Sequence, residues 1–465
     1  MSNNVDTPVL IVGAGPAGLV LALALVQNGV KVRVIDKEAF YRPGQRGAGI
    51  QPRTLEIFNY LGVLDDIVAK GIDAPKLRRV YKLPGGVEPL KTVNMLQYDE
   101  PTPSTPIIAH RSATLRKANG VHIGQENSEA ILRAHLANIG TNGAYDDRIL
   151  HVRPTETPHC FYVALGGQID HKKLESDREE FIKAIYAATD RHDLQFGELR
   201  WISEWRPNIR MVNKFREGRG FVAGGGSLPD GGQGLNSSVQ DSFNLAWKLA
   251  LVEKDLASPD LLDTYTEERL PVIAAMLQAS TTLLNALQTS KSGGTDNAAW
   301  TREGLLKMLG INYRWSSIVV DERTEKPKEP TDVYGGETSG DLRAGDRAPD
   351  APGLVPVLGD QQHTLSLFHI FRPVHHTVLL FASDATIPAS SLKIVVVYPR
   401  GTKNATPVID ADFTVVDKEG HAYSTYGASP ACPATVIIRP DTVVGAIVFG
   451  VDGLKKYLNA VFSAV

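Results

Sequence analysis

Cysteine is scarce in this sequence, which contains only Cys160 and Cys432 among its 465 residues. The two cysteines lie far apart and form neither a CxxC pair nor a spacing typical of metal ligands. Small extracellular scaffolds depend on many disulfides, so this composition favours a reduced, intracellular compartment. We expect both thiols to be inert core residues, and we predict no metal site.

An excess of charge of one sign is also missing, since the formal net charge is −3. This balance gives no reason to expect nucleic acid or an anionic membrane as a partner. The run from Pro8 to Val26 is apolar enough to resemble a membrane span, but three glycines and Pro16 interrupt it. The preceding MSNNVDT has no Lys or Arg, which a signal peptide would carry. We therefore expect a cytoplasmic protein, and the chain length suggests two or three domains.

The stretch PVLIVGAGPAGLVLALALVQNGVKVRVIDKE, from Pro8 to Glu38, has the pattern of a strand, a glycine turn, an apolar helix and a second strand. Val9–Val12 predicts a buried strand. Gly13 allows a sharp turn, Gly15 lets backbone N–H groups approach a pyrophosphate, and Gly18 lets the helix pack closely on the strand. The phosphate would then lie at a helix N-terminus, which carries roughly half a positive charge.

Asp36 ends the second strand, where a carboxylate can accept hydrogen bonds from a ribose 2′-OH. This predicts an unphosphorylated adenosine ribose, as in FAD or NAD, and the motif alone does not separate the two. The alternative is a glycine turn that serves packing only. The strand before the turn, the helix after it and the acid on the next strand favour dinucleotide binding.

A glycine-rich loop, YRPGQRGAGIQPR, follows with Arg42, Arg46 and Arg53 and leads into an amphipathic helix. These arginines could clamp phosphate or face a cofactor ring, or the loop could simply be solvated. Because the loop follows the nucleotide motif, we favour a functional role for Arg46. Short strands are predicted at Leu77–Leu83 and Val93–Leu96, and GQENSEAILRAHLANIG predicts a helix.

From residue 149 to residue 205 the pattern changes to the strands ILHVRP and HCFYVALGG, a helix from Glu175 to Thr189, and LQFGELRWISEW. We interpret this segment as a β-rich unit that covers a substrate above the cofactor, by analogy with other nucleotide-binding enzymes.

The segment Arg219–Ala250, RGFVAGGGSLPDGGQGLNSSVQDSFNLAWKLA, places a strand end and a glycine loop before a long helix. Asn236 or Ser237 is predicted to cap this helix. Its N-terminus could bind a second anionic group, such as the pyrimidine edge of a reduced flavin. The alternative is a plain glycine loop before a core helix.

The C-terminal third begins with a charged segment rich in Pro and Gly, residues 322–351, which we predict to be a linker. HTVLLFASD, LKIVVVYP, ATVIIRPDTVVGAIVFG and the closing helix GLKKYLNAVFSA follow it. Their alternation predicts an independent α/β domain.

Together these motifs resemble the single-component FAD-dependent aromatic hydroxylases, the family of para-hydroxybenzoate hydroxylase and phenol 2-monooxygenase. The resemblance covers nearly the whole chain and implies two candidate catalytic residues, Arg46 and Pro229. It implies that FAD is bound by Gly13, Gly15, Pro16, Ala17, Gly18, Asp36, Lys37, Arg46, Gln125, Gly231, Gly232, Gln233, Gly234, Leu235 and Asn236.

The implied fold class is α/β, with a Rossmann-like FAD-binding domain interrupted by a β-rich substrate unit. The C-terminal segment from GDRAPDAP through IIRPDTVVGA resembles the thioredoxin-like domain of the phenol hydroxylase branch, and we predict this domain at residues 352–465. Without a CxxC motif, that domain is expected to serve structure or oligomerisation. We predict an FAD domain at 1–148 and 206–321, with the substrate unit at 149–205 and the linker at 322–351.

Two departures from the family pattern affect the cofactor site. The strand ending in a D-G motif followed by A-R-S is missing, because LANIGTNGAYDDRILHVRP runs almost directly into the substrate unit. The family's G-D-A-A-H is replaced by Ala223-Gly224-Gly225-Gly226-Ser227-Leu228-Pro229. We expect weaker FAD binding as a result, and an exposed apolar edge near residues 141–148.

The resemblance implies a monooxygenase that hydroxylates a phenolic or other aromatic ring with O₂, using NADPH or NADH as a transient reductant. A homodimer is possible. The alternatives are an impaired or inactive flavoprotein homologue and an NAD-dependent oxidoreductase. The sequence identifies neither the aromatic substrate nor a catalytic base, and does not distinguish NADPH from NADH.

Overall fold

The structure is a computed structural model that describes residues 7–36, 49–73, 77–81, 88–94, 120–138, 171–189, 192–199, 202, 212–224, 234–289, 308–335, 340–359, 364–381, 392–431 and 433–463. Within these ranges the strands are β1 (Val9–Val12), β2 (Val32–Ile35), β3 (Gly49–Ile50), β4 (Ile72–Asp73), β5 (Leu77–Tyr81), β6 (Pro89–Asn94), β7 (Val121–His122), β8 (Arg216–Glu217), β9 (Gly220–Phe221), β10 (Val320–Asp321), β11 (Leu354–Pro356), β12 (His376–Leu380), β13 (Leu392–Tyr398), β14 (Phe413–Asp417), β15 (Thr435–Ile438) and β16 (Val444–Val448). The helices are α1 (Pro16–Gln27), α2 (Pro52–Tyr60), α3 (Leu64–Lys70), α4 (Gln125–Asn138), α5 (His171–Ser176), α6 (Arg178–Thr189), α7 (Gly234–Glu253), α8 (Asp263–Thr289), α9 (Leu367–Ile370), α10 (His421–Thr425) and α11 (Val451–Val461).

Helix α1 connects the parallel strands β1 and β2, as the sequence predicts. Pro16 occupies the first helical position, where the missing N–H costs nothing, and Gly29 follows the C-terminus with a φ of 74°. The helix is apolar on all sides because it packs against both α4 and α7. It therefore forms the centre of the N-terminal core.

Strand β1 is buried on one face only, which corrects the prediction of a buried strand. Ile11 lies in the core, whereas Leu10 and Val12 are 54% and 77% exposed. Among the described residues β1 pairs with β2 alone, and α1 covers one side of this pair. The predicted exposed edge near residues 141–148 lies outside the described residues.

A second small sheet lies beside the predicted arginine loop, in the order β3-β7-β4, with both pairings antiparallel. Gly120 must be a glycine here, because a Cβ would stand 2.5 Å from the carbonyl oxygen of Ile50. The predicted strand Leu77–Leu83 is β5, whereas the second strand of the hairpin, β6, begins at Pro89, four residues before the predicted Val93–Leu96. The predicted helix in GQENSEAILRAHLANIG is α4.

In the predicted substrate unit the structure describes α5, α6 and residues 192–199. The helix expected from Glu175 to Thr189 is present, divided into α5 and α6. Residues 194–199, which belong to LQFGELRWISEW, form no strand. Their carbonyl groups bind side chains of α6 instead, since Tyr186 donates to Leu194 and Arg178 donates to Phe196 and Gly197. The strands ILHVRP and HCFYVALGG lie outside the described residues.

Seven strands form one mixed sheet in the C-terminal third, in the order β10-β16-β15-β12-β13-β14-β11. β12, β13 and β14 run parallel, whereas β15 runs antiparallel to β12 and β16. β10 precedes residue 322 in sequence yet pairs with β16. Within the predicted linker, Val333, Ala344 and Ala348 are buried in the same core as α1 and α7. A shared apolar core thus joins the two parts of the chain.

The described helices are short or polar compared with membrane-spanning helices. None of them, including the 27-residue α8, combines the length and hydropathy that a membrane crossing requires. No group of His, Cys, Asp and Glu side chains within the described ranges has the arrangement of a metal site.

Candidate cofactor site

The turn between β1 and α1 has the geometry that the glycine motif predicts. Gly13 has a φ of 112°, which favours glycine, and its N–H donates to the carbonyl of Ile35 at 2.7 Å. A Cβ on Gly18 would stand 1.9 Å from the carbonyl oxygen of Gly13 and 3.2 Å from a methyl of Ile11. Gly18 therefore allows α1 to pack directly on the turn.

Gly15 has a different reason to be glycine. A Cβ at this position would meet no protein atom within 4 Å, so the missing side chain leaves open space in front of α1. The first turn of α1 contains no acidic side chain that would compensate its N-terminal dipole. An anionic pyrophosphate fits this site, with backbone N–H groups as its donors.

Asp36 lies beside this turn at the end of β2. Its Oδ2 accepts a hydrogen bond from the N–H of Ala14 at 2.7 Å, and the residue is exposed. The bond fixes the carboxylate next to the glycine turn, where a ribose would follow the pyrophosphate. The described residues of the turn thus fit the adenosine and pyrophosphate half of a dinucleotide.

Gln125 begins α4, which packs against α1. Its Nε2 donates to Glu129 at 2.8 Å, and Arg133 lies 3.6 Å from the same carboxylate. Burial raises the pKa of Glu129, against the lowering effects of Gln125 and Arg133, and the charge of Asp36 raises it further. The carboxylate of Glu129 on α4 is therefore close enough to Asp36 for their charges to interact.

Asn236 connects two motifs that are far apart in sequence. Its Oδ1 accepts from the N–H of Gln51 at 2.8 Å, and its Nδ2 donates to the carbonyl of Gly49 at 2.9 Å. Asn236 is fully buried inside α7, which begins at Gly234, so the prediction that Asn236 or Ser237 caps the helix is wrong. The side-chain amide of Asn236 instead connects residues 49–51 to the first turn of α7.

Asp241 and Arg269 form a buried ion pair next to Gly224, with Nε of Arg269 and Oδ1 of Asp241 2.7 Å apart. The second carboxylate oxygen accepts from the N–H of Gly224 at 3.2 Å. Burial raises the pKa of Asp241, whereas Arg269 and the Gly224 N–H lower it. Tyr265 donates to the carbonyl of Val222 at 2.8 Å. This pair and Tyr265 hold the strand end that enters the loop.

The two glycine motifs meet where α1 packs on α7. Ser242 donates to the carbonyl of Ala17 at 2.8 Å, and a Cβ on Gly224 would stand 3.8 Å from that of Ala17. Gly234 and Leu235 lie half-buried in the first turn of α7. Six of the predicted site residues lie outside the described residues, namely Lys37, Arg46, Pro229, Gly231, Gly232 and Gln233.

Sequence reasoning missed Glu129, Asp241 and Arg269 as part of this site. Asp241 and Arg269 lie in the polar stretches NSSVQDSFN and TYTEERLPV, so no local pattern marked them as a buried ion pair. Glu129 stands four residues after Gln125, the spacing at which helical side chains meet. Arg53, which the sequence analysis grouped with the loop arginines, is buried and donates to Glu56 and to the carbonyl of Asp441.

A family model described as FAD binding domain matches residues 6–144 and 141–280, which together exceed half of the chain. The match includes the glycine turn, Asp36, α4 and α7.

Two curated relatives align over nearly the full chain. A flavin-dependent monooxygenase of Mycobacteroides abscessus is 29% identical, over 97% of this chain and 99% of the relative. Pentachlorophenol 4-monooxygenase of Sphingobium chlorophenolicum is 26% identical, over 95% and 94%. The first alignment runs over 531 positions although the chain has 465 residues, so at least 66 positions have no residue of this chain.

Two solved structures share the fold. The flavin-dependent monooxygenase PieE in complex with FAD and substrate has a TM-score of 0.69 at 17% identity, with 98% of both chains covered. Aklavinone-11 hydroxylase with FAD and aklavinone has a TM-score of 0.71 at 22% identity, with 99% of this chain and 100% of the other covered. The chain belongs to the FAD binding domain family, and it is a flavin-dependent monooxygenase of that family with FAD as its cofactor.

Proposed function

We propose that this chain hydroxylates a phenolic or other aromatic ring with O₂, using NADPH or NADH as reductant. The observation that carries the proposal is the open space in front of Gly15 among the described residues, with the α1 N-terminus and Asp36 beside it. The comparisons support neither the alternative of an inactive homologue nor that of an NAD-dependent oxidoreductase.

In this reaction the residues of the chain bind the cofactor and orient it. The N-terminus of α1 holds the pyrophosphate through backbone N–H groups, and Asp36 accepts from the ribose. The N-terminus of α7 stabilises negative charge on the pyrimidine edge of a reduced flavin. When bound, FAD accepts a hydride from the nicotinamide and activates O₂ for transfer to the ring.

Four site assignments remain proposals. The family resemblance would place Arg46 over the flavin and the carbonyl of Pro229 near the substrate edge, and both residues lie outside the described ranges. Gln125 binds the flavin side of the cofactor. For Asn236 we propose a positioning role, because both polar atoms of its side chain already bind backbone groups at Gly49 and Gln51.

The substrate class is proposed from the relatives. Their names give pentachlorophenol, aklavinone and 6-methylpretetramide as substrates, which are aromatic molecules of different sizes. We propose an electron-rich aromatic ring with a hydroxyl group as the common feature.

We also propose that residues 352–465 form a thioredoxin-like domain without disulfide chemistry, in a cytoplasmic protein that can form a homodimer. The order β16-β15-β12-β13, with β15 antiparallel and α11 closing the unit, supports the domain assignment. The chain has only two cysteines and no CxxC motif.

The test is NADPH or NADH oxidation by the FAD-loaded protein, measured with and without phenols of one to four rings. We expect at least one aromatic compound to accelerate oxidation and to gain one oxygen atom from ¹⁸O₂. Acceleration without label in any product would contradict hydroxylation. A purified protein that binds no FAD in titration would contradict the proposal at its first step.

A further inference from the structure

The turn between β15 and β16 carries a cluster of buried polar side chains. Arg439, Asp441 and Thr442 are each at most 3% exposed, and this turn, residues 439–442, is called the docking turn below. The N–H of Arg439 donates to Val443 at 2.8 Å, and the N–H of Thr442 donates to Arg439 at 2.9 Å. The turn is therefore tightly closed, with its charged groups directed into the protein.

On one side the docking turn binds α7 and α8. Arg439 donates to both carboxylate oxygens of Glu268 at 2.7 and 2.9 Å. Glu268 also accepts from Lys248 at 2.8 Å and from Asn244 at 2.7 Å, and Asn244 reaches Asp441 at 3.1 Å. Two positive and two negative groups thus balance in a fully buried network, where loss of one partner leaves an unpaired charge.

On the other side the docking turn binds α2. One guanidinium nitrogen of Arg53 donates to the carbonyl of Asp441 at 2.9 Å and to Oγ1 of Thr442 at 3.0 Å. The other nitrogen pairs with Glu56 at 2.9 Å. Arg53 is the second residue of α2, so these bonds fix the N-terminal end of the helix.

Thr442 holds an unfavourable backbone conformation, with a φ of 59°. A β-branched residue rarely adopts this left-handed region, and such strain persists only where the surroundings enforce it. Its hydroxyl is one of the two groups of the docking turn that Arg53 binds, and the other is the carbonyl of Asp441. The strained residue therefore lies at the contact between the C-terminal sheet and α2.

We propose that the docking turn positions the N-terminal ends of α2 and α7 by holding the two helices together, and so controls FAD affinity from the C-terminal part of the chain. Both helices meet again at these ends, where Asn236 binds Gly49 and Gln51. The pair of helices is thus fixed at two points, one at the N-terminal ends and one at the docking turn. The inference rests on the proposed function for the assignment of these helix ends to the flavin site.

The test compares Thr442→Gly with Thr442→Ser and Asp255→Gly. Glycine removes the hydroxyl and also relieves the left-handed strain, so folding is retained. Serine keeps the hydroxyl. Asp255 is the matched control, because it has a φ of 57° on the exposed turn after α7 and lies far from α2.

In titrations of the apoprotein we expect Thr442→Gly to raise the FAD dissociation constant about fivefold, the ratio that one hydrogen bond of ~1 kcal/mol corresponds to. The flavin midpoint potential should shift in the same variant. Thr442→Ser and Asp255→Gly should match the wild type in both measurements. A Thr442→Gly protein with wild-type affinity and potential would overturn the proposal.

Hydrogen exchange of the apoprotein separates this inference from the proposed function. In Thr442→Gly the amides of residues 49–53 and 234–240 should exchange faster, with unchanged exchange in β12 and β13. If the wild type binds no FAD, the proposed function fails, and the exchange experiment alone decides the positioning role. Unchanged exchange at residues 49–53 would refute it.

Discussion

A side chain at Gly18 would push α1 away from the glycine turn. Gly18→Ala places a Cβ 1.9 Å from the carbonyl oxygen of Gly13, where an ordinary contact exceeds 3 Å, and the obstructing atom belongs to the backbone. No rotamer change relieves this clash, so α1 or the turn must move by over 1 Å. Gly18→Val adds two methyl groups and should be more severe.

The expected cost in stability is about 1–3 kcal/mol, as for overpacking elsewhere. Because the unfolding entropy is roughly 2 cal/mol/K per residue, each kcal/mol lowers the Tm of this 465-residue chain by about 1 °C. The displacement also separates the α1 N–H groups from the pyrophosphate, and each charge-assisted hydrogen bond lost is worth ~1.5–3 kcal/mol. Gly18→Val should therefore abolish FAD retention, and Gly18→Ala should reduce affinity by roughly tenfold to a hundredfold.

The assay is FAD titration of the apoprotein together with its Tm, with Gly15→Ala and Gly450→Ala as comparisons. A Cβ on Gly15 or Gly450 meets no atom within 4 Å, and both residues precede a helix in extended conformation. Gly15→Ala should keep the apoprotein Tm and lose FAD, whereas Gly450→Ala should change neither. If Gly18→Val retains FAD as the wild type does, the assignment of the cofactor site is refuted.

Four further changes test other parts of the argument. Asp36→Ala should weaken FAD binding more mildly than Gly18→Val, by about tenfold in titration, because it removes hydrogen bonds without displacing α1; unchanged affinity would exclude the ribose contact. Asn236→Ala should leave Gln51 without its acceptor and lower both Tm and FAD affinity, whereas unaltered values would show that the bridge to α7 is unimportant. Burial lowers the pKa of Lys248 to about 8, although the charge of Glu268 opposes this shift, so the unfolded chain keeps the Lys248 proton to a higher pH than the folded chain. The free energy of unfolding should therefore rise between pH 8 and 10, by at most about 1.4 kcal/mol per pH unit. In urea titrations Lys248→Met should remove that slope. Inserting Asp-Ala-Ala-His between Gly224 and Gly225 should raise FAD affinity measurably, and an insertion with no effect would mean that other residues hold the ribityl chain.

Local sequence was sufficient for the elements whose conformation depends on neighbours along the chain. The strand, turn and helix from Val9 to Gln27 follow from glycine positions and an apolar run, and the structure confirms them. The helix α4 and the hairpin β5–β6 were likewise predictable, because periodicity and turn residues act over short distances.

Sequence also determined the family, through motifs whose residue types are constrained by chemistry. A glycine that lets a phosphate approach and an acid that binds a ribose cannot be exchanged freely, so they remain recognisable. The departures at Gly224 and before residue 149 could also be read directly from the sequence.

Only the tertiary structure decided what the buried polar residues bind. Asn236 was predicted as a helix cap, but its amide bridges to Gly49 and Gln51, which lie about 185 residues away in sequence. A contact of Asn236 with FAD stays a prediction. Arg53 was grouped with the loop arginines, but it binds the docking turn. Hydrogen-bonding capacity is a property of a residue, whereas its partner is set by packing across the chain.

The shared core of the N-terminal and C-terminal parts of the chain was likewise decided only by the tertiary structure. Composition predicted a linker at 322–351, because Pro, Gly and charge are typical of exposed segments. Residues of that segment are nevertheless buried, and β10 joins the C-terminal sheet. An isolated apolar residue such as Val333 or Ala344 is buried only when residues distant in sequence supply a surface for it to pack on. No local sequence pattern encodes that surface.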